Sequence, residues 1–394
     1  MISENIMIST IIIFLVVLSI LVFVHELGHF YTARKFGVKC DEFGFGFPPR
    51  LCGWKKVNGK RKFFWGSEDA EKINSEDTIF SLNYIPLGGF VKIKGEDGES
   101  KAEPDSFGAQ KIWKRIVILA AGVTMNVFLT IICLIIAFMI GAPQVIDSDD
   151  PALQPKDAKV QIVSILENSP AKTLDLQMGD TIVSLDGNEV KKLTDVSGYL
   201  EIKEKVKVKM LIDRSGEKKE YEFEPVVLKE TGKPGLGVGL AKTGIVSYPW
   251  YKAIYLGFVG AYAMFIQIIV AFYTVIKNAL IGVPLGVDLA GPVGIAVMTG
   301  KVAKLGFVYV LQFVAMLSMN LAIINFLPFP ALDGGRVIFL LIEKIRGKAV
   351  SQKIESIVHT VGFALLMLLF VLVTGKDLFK FREFFVNIWH KVIG

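Results

Sequence analysis

Long apolar runs alternate along this chain with polar stretches of unequal length. Five runs, at residues 6 to 30, 116 to 140, 253 to 276, 307 to 327 and 357 to 374, each come near the ~20 residues that cross the hydrocarbon of a bilayer. In lipid only a helix, among open elements, satisfies its own backbone, so the pattern predicts five apolar helices. The first begins "MISEN", with no positive charge and no small-residue cleavage site after it. It is expected to remain as an anchor, not to be removed as a signal peptide.

The polar stretches carry a different period. Between the first two runs, "FSLNYIPLGGFVKIKGEDGE" (80 to 99) predicts a hairpin whose short apolar arms are separated by Pro86, Gly88 and Gly89. Between the second and third, residues 155 to 240 alternate in "VQIVSI", "DTIVSLDGNEV" and "KVKVKMLIDRSGEKKEYEFEP". This predicts a β-rich domain with a hairpin turning at Ser215 and Gly216. The tail, "KDLFKFREFFVNIWHKVIG", mixes basic and aromatic residues as an interfacial amphipathic helix does. No long internal repeat is visible.

Composition settles the solvent. The chain has 394 residues, 52% of them hydrophobic, and a mean hydropathy of +0.49, which excludes a soluble protein of this size. The net charge of +6 comes from basic residues beside the apolar runs and spread through the loops. They read as topology signals and not as a nucleic-acid surface. Cys40, Cys52 and Cys133 have no metal-ligand spacing, and no disulfide is expected.

Against that apolar background stands "FVHELGHFYTARKFG" (23 to 37). On a helix, H-E-x-x-H puts His25 and His29 one turn apart on one face, with Glu26 beside them. Two imidazoles at that spacing bind a metal, and the glutamate is placed to take a proton from water. The plainer reading is a helix end whose histidines meet the interface. Lipid burial disfavours it, because an unpaired ionisable group there costs about 2.5 kcal/mol or more. At 1.5 Å per residue, His29 and His25 lie about 8 and 13 Å inside the level of Arg34 and Lys35, just below one membrane face.

A third ligand is offered by "NLAIINFLPFPALDGGR" (320 to 336). Asp333 is an acid near the membrane boundary, and Gly334 and Gly335 permit close backbone approach. Pro328 and Pro330 break the helix before it, so irregular backbone at membrane depth must line protein or a water-filled cavity. Taken alone, "LDGG" reads as a helix-ending turn; paired with HELGH it reads as a ligand.

With both motifs in this order, and a PDZ-like insert between them, the chain resembles the site-2 protease family of intramembrane zinc metalloproteases, most closely the bacterial regulator of sigma-E protease group. The resemblance implies a zinc metalloendopeptidase that cleaves within or near the transmembrane segment of single-pass membrane proteins, such as anti-sigma factors or remnant signal peptides. It implies Zn2+ on His25, His29 and Asp333, Glu26 as general base, and Asn325 hydrogen-bonding the substrate backbone. "EFGFGFPP" (42 to 49) and "IPLGGFVKIKGED" (85 to 97), with Gly88 and Gly89, resemble the family's membrane-reentrant β-element, which holds substrate extended. "SPAKTLDLQMGDTIVSLDGNEV" (169 to 190) resembles a bacterial PDZ core with Gly179 and Asp180 in its Gly-Asp turn, and there is room for one such domain.

The expected architecture is a polytopic α-helical membrane protein with about four transmembrane helices, a membrane-associated β-hairpin element and one inserted PDZ-like β-rich domain. Its divisions are 1–36, the first transmembrane helix with HELGH; 37–112, the β-element; 113–141, the second transmembrane helix; and 155–240, the PDZ-like domain. There follow 250–300, interfacial or re-entrant; 305–340, a transmembrane helix with the aspartate motif; 355–375, the last transmembrane helix; and 376–394, the amphipathic tail. Four spans and not five follow from chemistry: segments 1 and 4 must end on the same face for their ligands to meet. The expected location is a bacterial inner membrane, with the metal near the cytoplasmic face and the PDZ-like domain, free to take a peptide or protein ligand, outside.

Other residues carry plainer readings. His359 is expected to meet the interface, His390 lies in the tail, and Met316 and Met319 pack. The run from Gly235 to Gly239 lacks the context of a phosphate loop. Two rival classes, a non-proteolytic PDZ scaffold and a metal transporter, are opposed by the intact motifs and by the near absence of charge in segments 2, 3 and 5.

Overall fold

A computed structural model describes residues 2–67, 77–96, 103–146, 156–166, 169–203, 206–214, 216–228, 232–282 and 290–380. They form two compact units, Met1–Ala137 with Ala253–Gly394, and Phe138–Lys252. Five helices are long and apolar enough to cross a membrane: α1 (Ile2–Lys35), α2 (Ile112–Ile140), α5 (Trp250–Ile281), α7 (Phe307–Phe326) and α9 (Gln352–Lys380). Each contains or nearly coincides with one of the apolar runs, and the first ends where Arg34 and Lys35 reach polar surroundings.

Two shorter helices flank α7. Helix α6 (Pro292–Leu305) packs Gly300 on Thr10 of α1, and its Gly294 N–H donates to Asp377 of α9 at 2.7 Å. A buried carboxylate at a helix N-terminus finds donors that lipid cannot supply. Helix α8 (Asp333–Arg346) starts on the aspartate of the second motif. Nη1 of Arg115 on α2 donates to both carboxylate oxygens of Glu343 on α8, at 3.1 and 3.0 Å, which ties the two helices together.

Between α1 and α2 lies a sheet of β1 (Cys40–Val57), β2 (Lys60–Trp65) and β3 (Ile79–Ile93), in the order β2-β1-β3. The sequence predicts a hairpin within 80 to 99, and here the structure differs. Strand β3 does bend near Pro86 and Gly88, but its arms do not pair with each other. Phe43 is in register with both Val91 and Phe80, and Phe45 with both Gly89 and Leu82, so β1 lies between the two arms. Residues 52–54 of β1 pair along the other side of the first arm, at Phe80 to Leu82, an edge that a hairpin alone would leave open. Residues 97–99 fall outside the described residues.

The second unit holds β4 (Ala142–Val145), β5 (Lys156–Ile165), β6 (Thr181–Leu185), β7 (Asn188–Glu189), β8 (Val208–Arg214), β9 (Glu217–Phe223) and β12 (Val238–Val246) in one sheet. A short pair, β10 (Val226–Val227) and β11 (Pro234–Gly235), and two helices, α3 (Pro170–Thr173) and α4 (Leu193–Glu201), accompany it. Strands β8 and β9 form the expected hairpin, with Arg214 opposite Glu217. Gly216 takes φ +92, a value for which glycine is suited, and Ser215 lies outside the described residues. Alternate residues of β8, Val208, Met210 and Ile212, are fully buried with Ile162, Ile182 and Leu236.

One polar pair sits in this core. Asp180, 1% exposed, accepts Arg214 Nε at 2.8 Å and Nη2 at 2.7 Å, and also the Gln177 N–H at 2.9 Å. Removing one partner strands a buried charge. Arg214→Met is therefore expected to cost the inserted domain about 3 to 5 kcal/mol, read as amide exchange in β6 and β8 of the intact chain at least ~100-fold faster. Unchanged exchange would show that the pair is not structural.

Candidate metal centre

The geometry starts with the spacing on α1. His25 and His29 are 5% and 6% exposed, one turn apart, and both face α2. Gly28 and Gly122 let the two helices approach. A Cβ on Gly28 would press on the Ala121 backbone, and one on Gly122 would press on both imidazoles. His29 Nδ1 lies 2.9 Å from the carbonyl oxygen of Ile118. A carbonyl only accepts, so Nδ1 carries the hydrogen and Nε2 presents a lone pair.

Asp333 arrives from the other motif. The chain leaves α7 through Pro328 and Pro330, and Ala331 takes φ +75. The Ala331 N–H donates to His359 Nδ1 at 2.9 Å. His359 is half-buried beside Phe339 and, through this bond, fastens the loop that carries Asp333. Gly334 and Gly335 lie against the backbone of Phe326, Leu327 and Phe329, leaving no room for larger residues.

Three donor atoms therefore converge. His25 Nε2 and His29 Nε2 are 3.1 Å apart, and Asp333 Oδ2 is 3.0 Å from the first and 3.4 Å from the second. Ligands at 2.0–2.2 Å from a tetrahedral ion are separated by about 3.3 Å, so the set fits zinc. Asp333 Oδ2 is buried, and its contacts with the two Nε2 atoms lack hydrogen-bond geometry, which fits an atom that shares a cation with them. His25, His29 and Asp333 are the group among the described residues able to hold an ion in this way.

The convergence opens into a cavity of about 220 Å³ whose wall includes Glu26 and Asn325, with Val22 and Leu321 as apolar sides. Asn325 Nδ2 stands 3.4 Å from His25 Nε2. The bend of β3 reaches the same wall from outside: a Cβ on Gly88 would strike Val22, Gly89 faces Phe23, and Ser19 Oγ donates to the Pro86 carbonyl at 3.0 Å. The structure thus brings every anticipated site residue to one neighbourhood. It adds three that sequence reasoning passed over, the Ile118 carbonyl, Gly122 and Asn126, whose side chain is 3.2 Å from His25 Nδ1. Their signal is a spacing of four, with a glycine and an asparagine interrupting an apolar run.

Comparison with known proteins identifies the family. The profile of Peptidase family M50 matches residues 13–64 and 69–369. A relative from Clostridium perfringens bearing a zinc metalloprotease name is 33% identical over 92% of this chain and 97% of its own length. The regulator of sigma-W protease RasP of Bacillus subtilis is 27% identical over 94% of this chain and 98% of its own. Among solved structures, the PDZ domain of the SdrC-like protein from Listeria monocytogenes is 25% identical, covers 21% of this chain and 86% of that one, and has a TM-score of 0.20. With its apolar helices and a family match over most of its length, the chain belongs to peptidase family M50, as a bacterial membrane-embedded zinc metalloprotease of the site-2 type.

Proposed function

We propose that this protease hydrolyses a peptide bond in or beside the transmembrane segment of single-pass membrane proteins, with His25, His29 and Asp333 holding zinc and Glu26 as general base. The observation that carries the reading is the convergence of three ligand atoms within 3.0–3.4 Å at a cavity shared with Glu26 and Asn325. When bound, zinc supplies Lewis acidity to a water molecule and to the scissile carbonyl. Glu26 takes the proton from that water and returns it to the leaving amine. Asn325 donates from its amide to the substrate backbone and so fixes the bond in line with Glu26. A helical substrate hides its amides in i to i−4 bonds, and the β3 bend at Gly88 and Gly89 gives the unwound segment a strand to lie along.

Four spans are supported by chain length. With α1, α2 and α9 along the membrane normal, Gly257 of α5 packs on Ile135, about 14 Å outward of Asn126 beside His25. The N-terminus of α6 is held by Asp377, about 27 Å along α9 from His359. If α5 crossed perpendicularly, Ile281 would lie about 22 Å inward of the metal, leaving ~49 Å to climb. The eleven steps from 281 to 292 reach at most ~40 Å. This favours a segment 253 to 276 that lies along or steeply tilted at the outer side, and the Lys and Arg residues at 34 and 35, 111 to 115 and 344 to 348 favour a metal near the cytoplasmic face. The inserted PDZ-like domain, joined to the outer ends of α2 and α5, faces out and gates substrate access, with a peptide or protein as its ligand.

Glu26→Gln is expected to lower cleavage of a co-reconstituted single-pass substrate by about 10²- to 10⁴-fold with zinc content unchanged. Asp333→Ala is expected to lose both. Retained cleavage in the first, or retained zinc in the second, would overturn the assigned roles.

For topology, single cysteines at Lys60, Lys218, Ser247 and Gly282, in a chain lacking Cys40, Cys52 and Cys133, are expected to react with a membrane-impermeant thiol reagent in whole cells at 218, 247 and 282 only. Protection at 282 with labelling at 247 would mean that α5 spans.

Deleting residues 155 to 240 is expected to spare cleavage of pre-trimmed substrates and to widen the range accepted. Loss of all cleavage in a folded, zinc-loaded deletion would exclude a gating role.

A further inference from the structure

Both imidazoles meet α2 through the nitrogen that points away from the site, but the two contacts differ in kind. His29 Nδ1 donates to the Ile118 backbone carbonyl. His25 Nδ1 faces the side-chain amide of Asn126 at 3.2 Å. Asn126 is fully buried, one of the few polar side chains deep in an apolar helix. Such a group in lipid needs a partner to offset its desolvation.

With its nitrogen toward His25, the amide leaves two conflicts. Its nitrogen faces His25 Nδ1, which makes that ring nitrogen the acceptor and puts the hydrogen on Nε2, where Asp333 and His29 converge. Meanwhile Asn126 Oδ1 is buried with no hydrogen-bond partner among the described residues. The two ends of an amide have nearly the same shape, so hydrogen bonding decides which atom points where. Turning the amide by 180° aims Oδ1 at Nδ1, moves the hydrogen to Nδ1 and bares Nε2. Oδ1 then has a donor and Nε2 a free lone pair, with the amide nitrogen taking the buried position that Oδ1 leaves.

We propose that Asn126 is a positioning residue of the metal centre, its Oδ1 accepting from His25 Nδ1–H and so fixing the ring's tautomer and orientation. The proposal rests on the zinc reading above. Ile118, Gly122 and Asn126, spaced by four, form one ridge of α2: a carbonyl orients His29, a missing side chain admits both rings, and an amide orients His25. The ridge is held at a set height. The Asn126 carbonyl accepts Ser318 Oγ at 2.8 Å and Thr130 Oγ1 at 3.1 Å, and Thr130 Oγ1 also lies 3.0 Å from the Ala315 carbonyl oxygen of α7. Helix α2 thus orients the ligands on α1 while locked to α7, which leads to the Asp333 loop.

The test is zinc affinity of the purified full chain by chelator competition, with the melting temperature of the metal-free protein as a folding control. Asn126→Leu, which removes the acceptor at similar volume, is expected to weaken zinc roughly 10- to 100-fold. Asn126→Asp keeps an acceptor and is expected to bind within about threefold of wild type, or tighter. With the amide nitrogen toward His25 instead, the aspartate would face an imidazole lone pair and weaken zinc as leucine does. Wild-type affinity in the leucine variant, or a tenfold or greater loss in the aspartate variant, overturns the proposal, and the aspartate result stands alone if the leucine variant does not fold. A wild-type chain that takes up no zinc would overturn the metal reading itself, and this proposal with it.

Discussion

Two imidazole nitrogens and a carboxylate oxygen are held 3.0–3.4 Å apart inside helices too apolar to solvate them. Groups rich in lone pairs do not gather in a low-dielectric interior unless a cation joins them. The remaining architecture answers that demand. Helix α1 must end and α7 must break at the same height, because one supplies two donors and the loop after the other supplies the third. Arg115 on Glu343 and His359 on the Ala331 N–H fasten the elements that set this height.

Close approach is the second constraint, and small residues meet it. In lipid, helices gain no hydrophobic drive from meeting, so packing distance decides association. Gly28 and Gly122 bring α1 onto α2, and Gly362 brings α9 onto Pro330 of the aspartate loop. At Gly122 the space goes to the ligands: a methyl group there would occupy the volume the imidazoles use.

Much of this was legible in the sequence because each signal was local. H-E-x-x-H places two imidazoles and a carboxylate together through helical spacing alone, and the prolines and glycines around Asp333 announce broken backbone. The apolar runs anticipated the long helices, and alternation anticipated β8 and β9. What stayed hidden was pairing between distant segments. The bend at Pro86 to Gly89 could be read, but not that its arms would close around residues 42–45, since register depends on a partner about 40 residues away. The roles of Ile118 and His359 were hidden for a similar reason: one acts through its backbone, the other through a contact 28 residues back along the chain. Asn126 was visible as a polar interruption, but a lone asparagine does not say which helix it faces.

On the proposed reading, the sheet beside the metal site answers the state of the substrate. A transmembrane helix exposes neither scissile carbonyl nor neighbouring amides until it unwinds, and each group freed in hydrocarbon costs several kcal/mol unless another takes its place. Strand β3 comes to Val22 and Phe23, one turn before His25, and Tyr84 and Ile85 beside its bend are exposed. Backbone partners therefore stand within reach of the point where helical bonds must be given up. A glycine at position 88 is required for that proximity, because any Cβ would push the bend away from Val22. The same glycine that looks like a turn former in the sequence thus sets the distance between the strand and α1, one turn before His25.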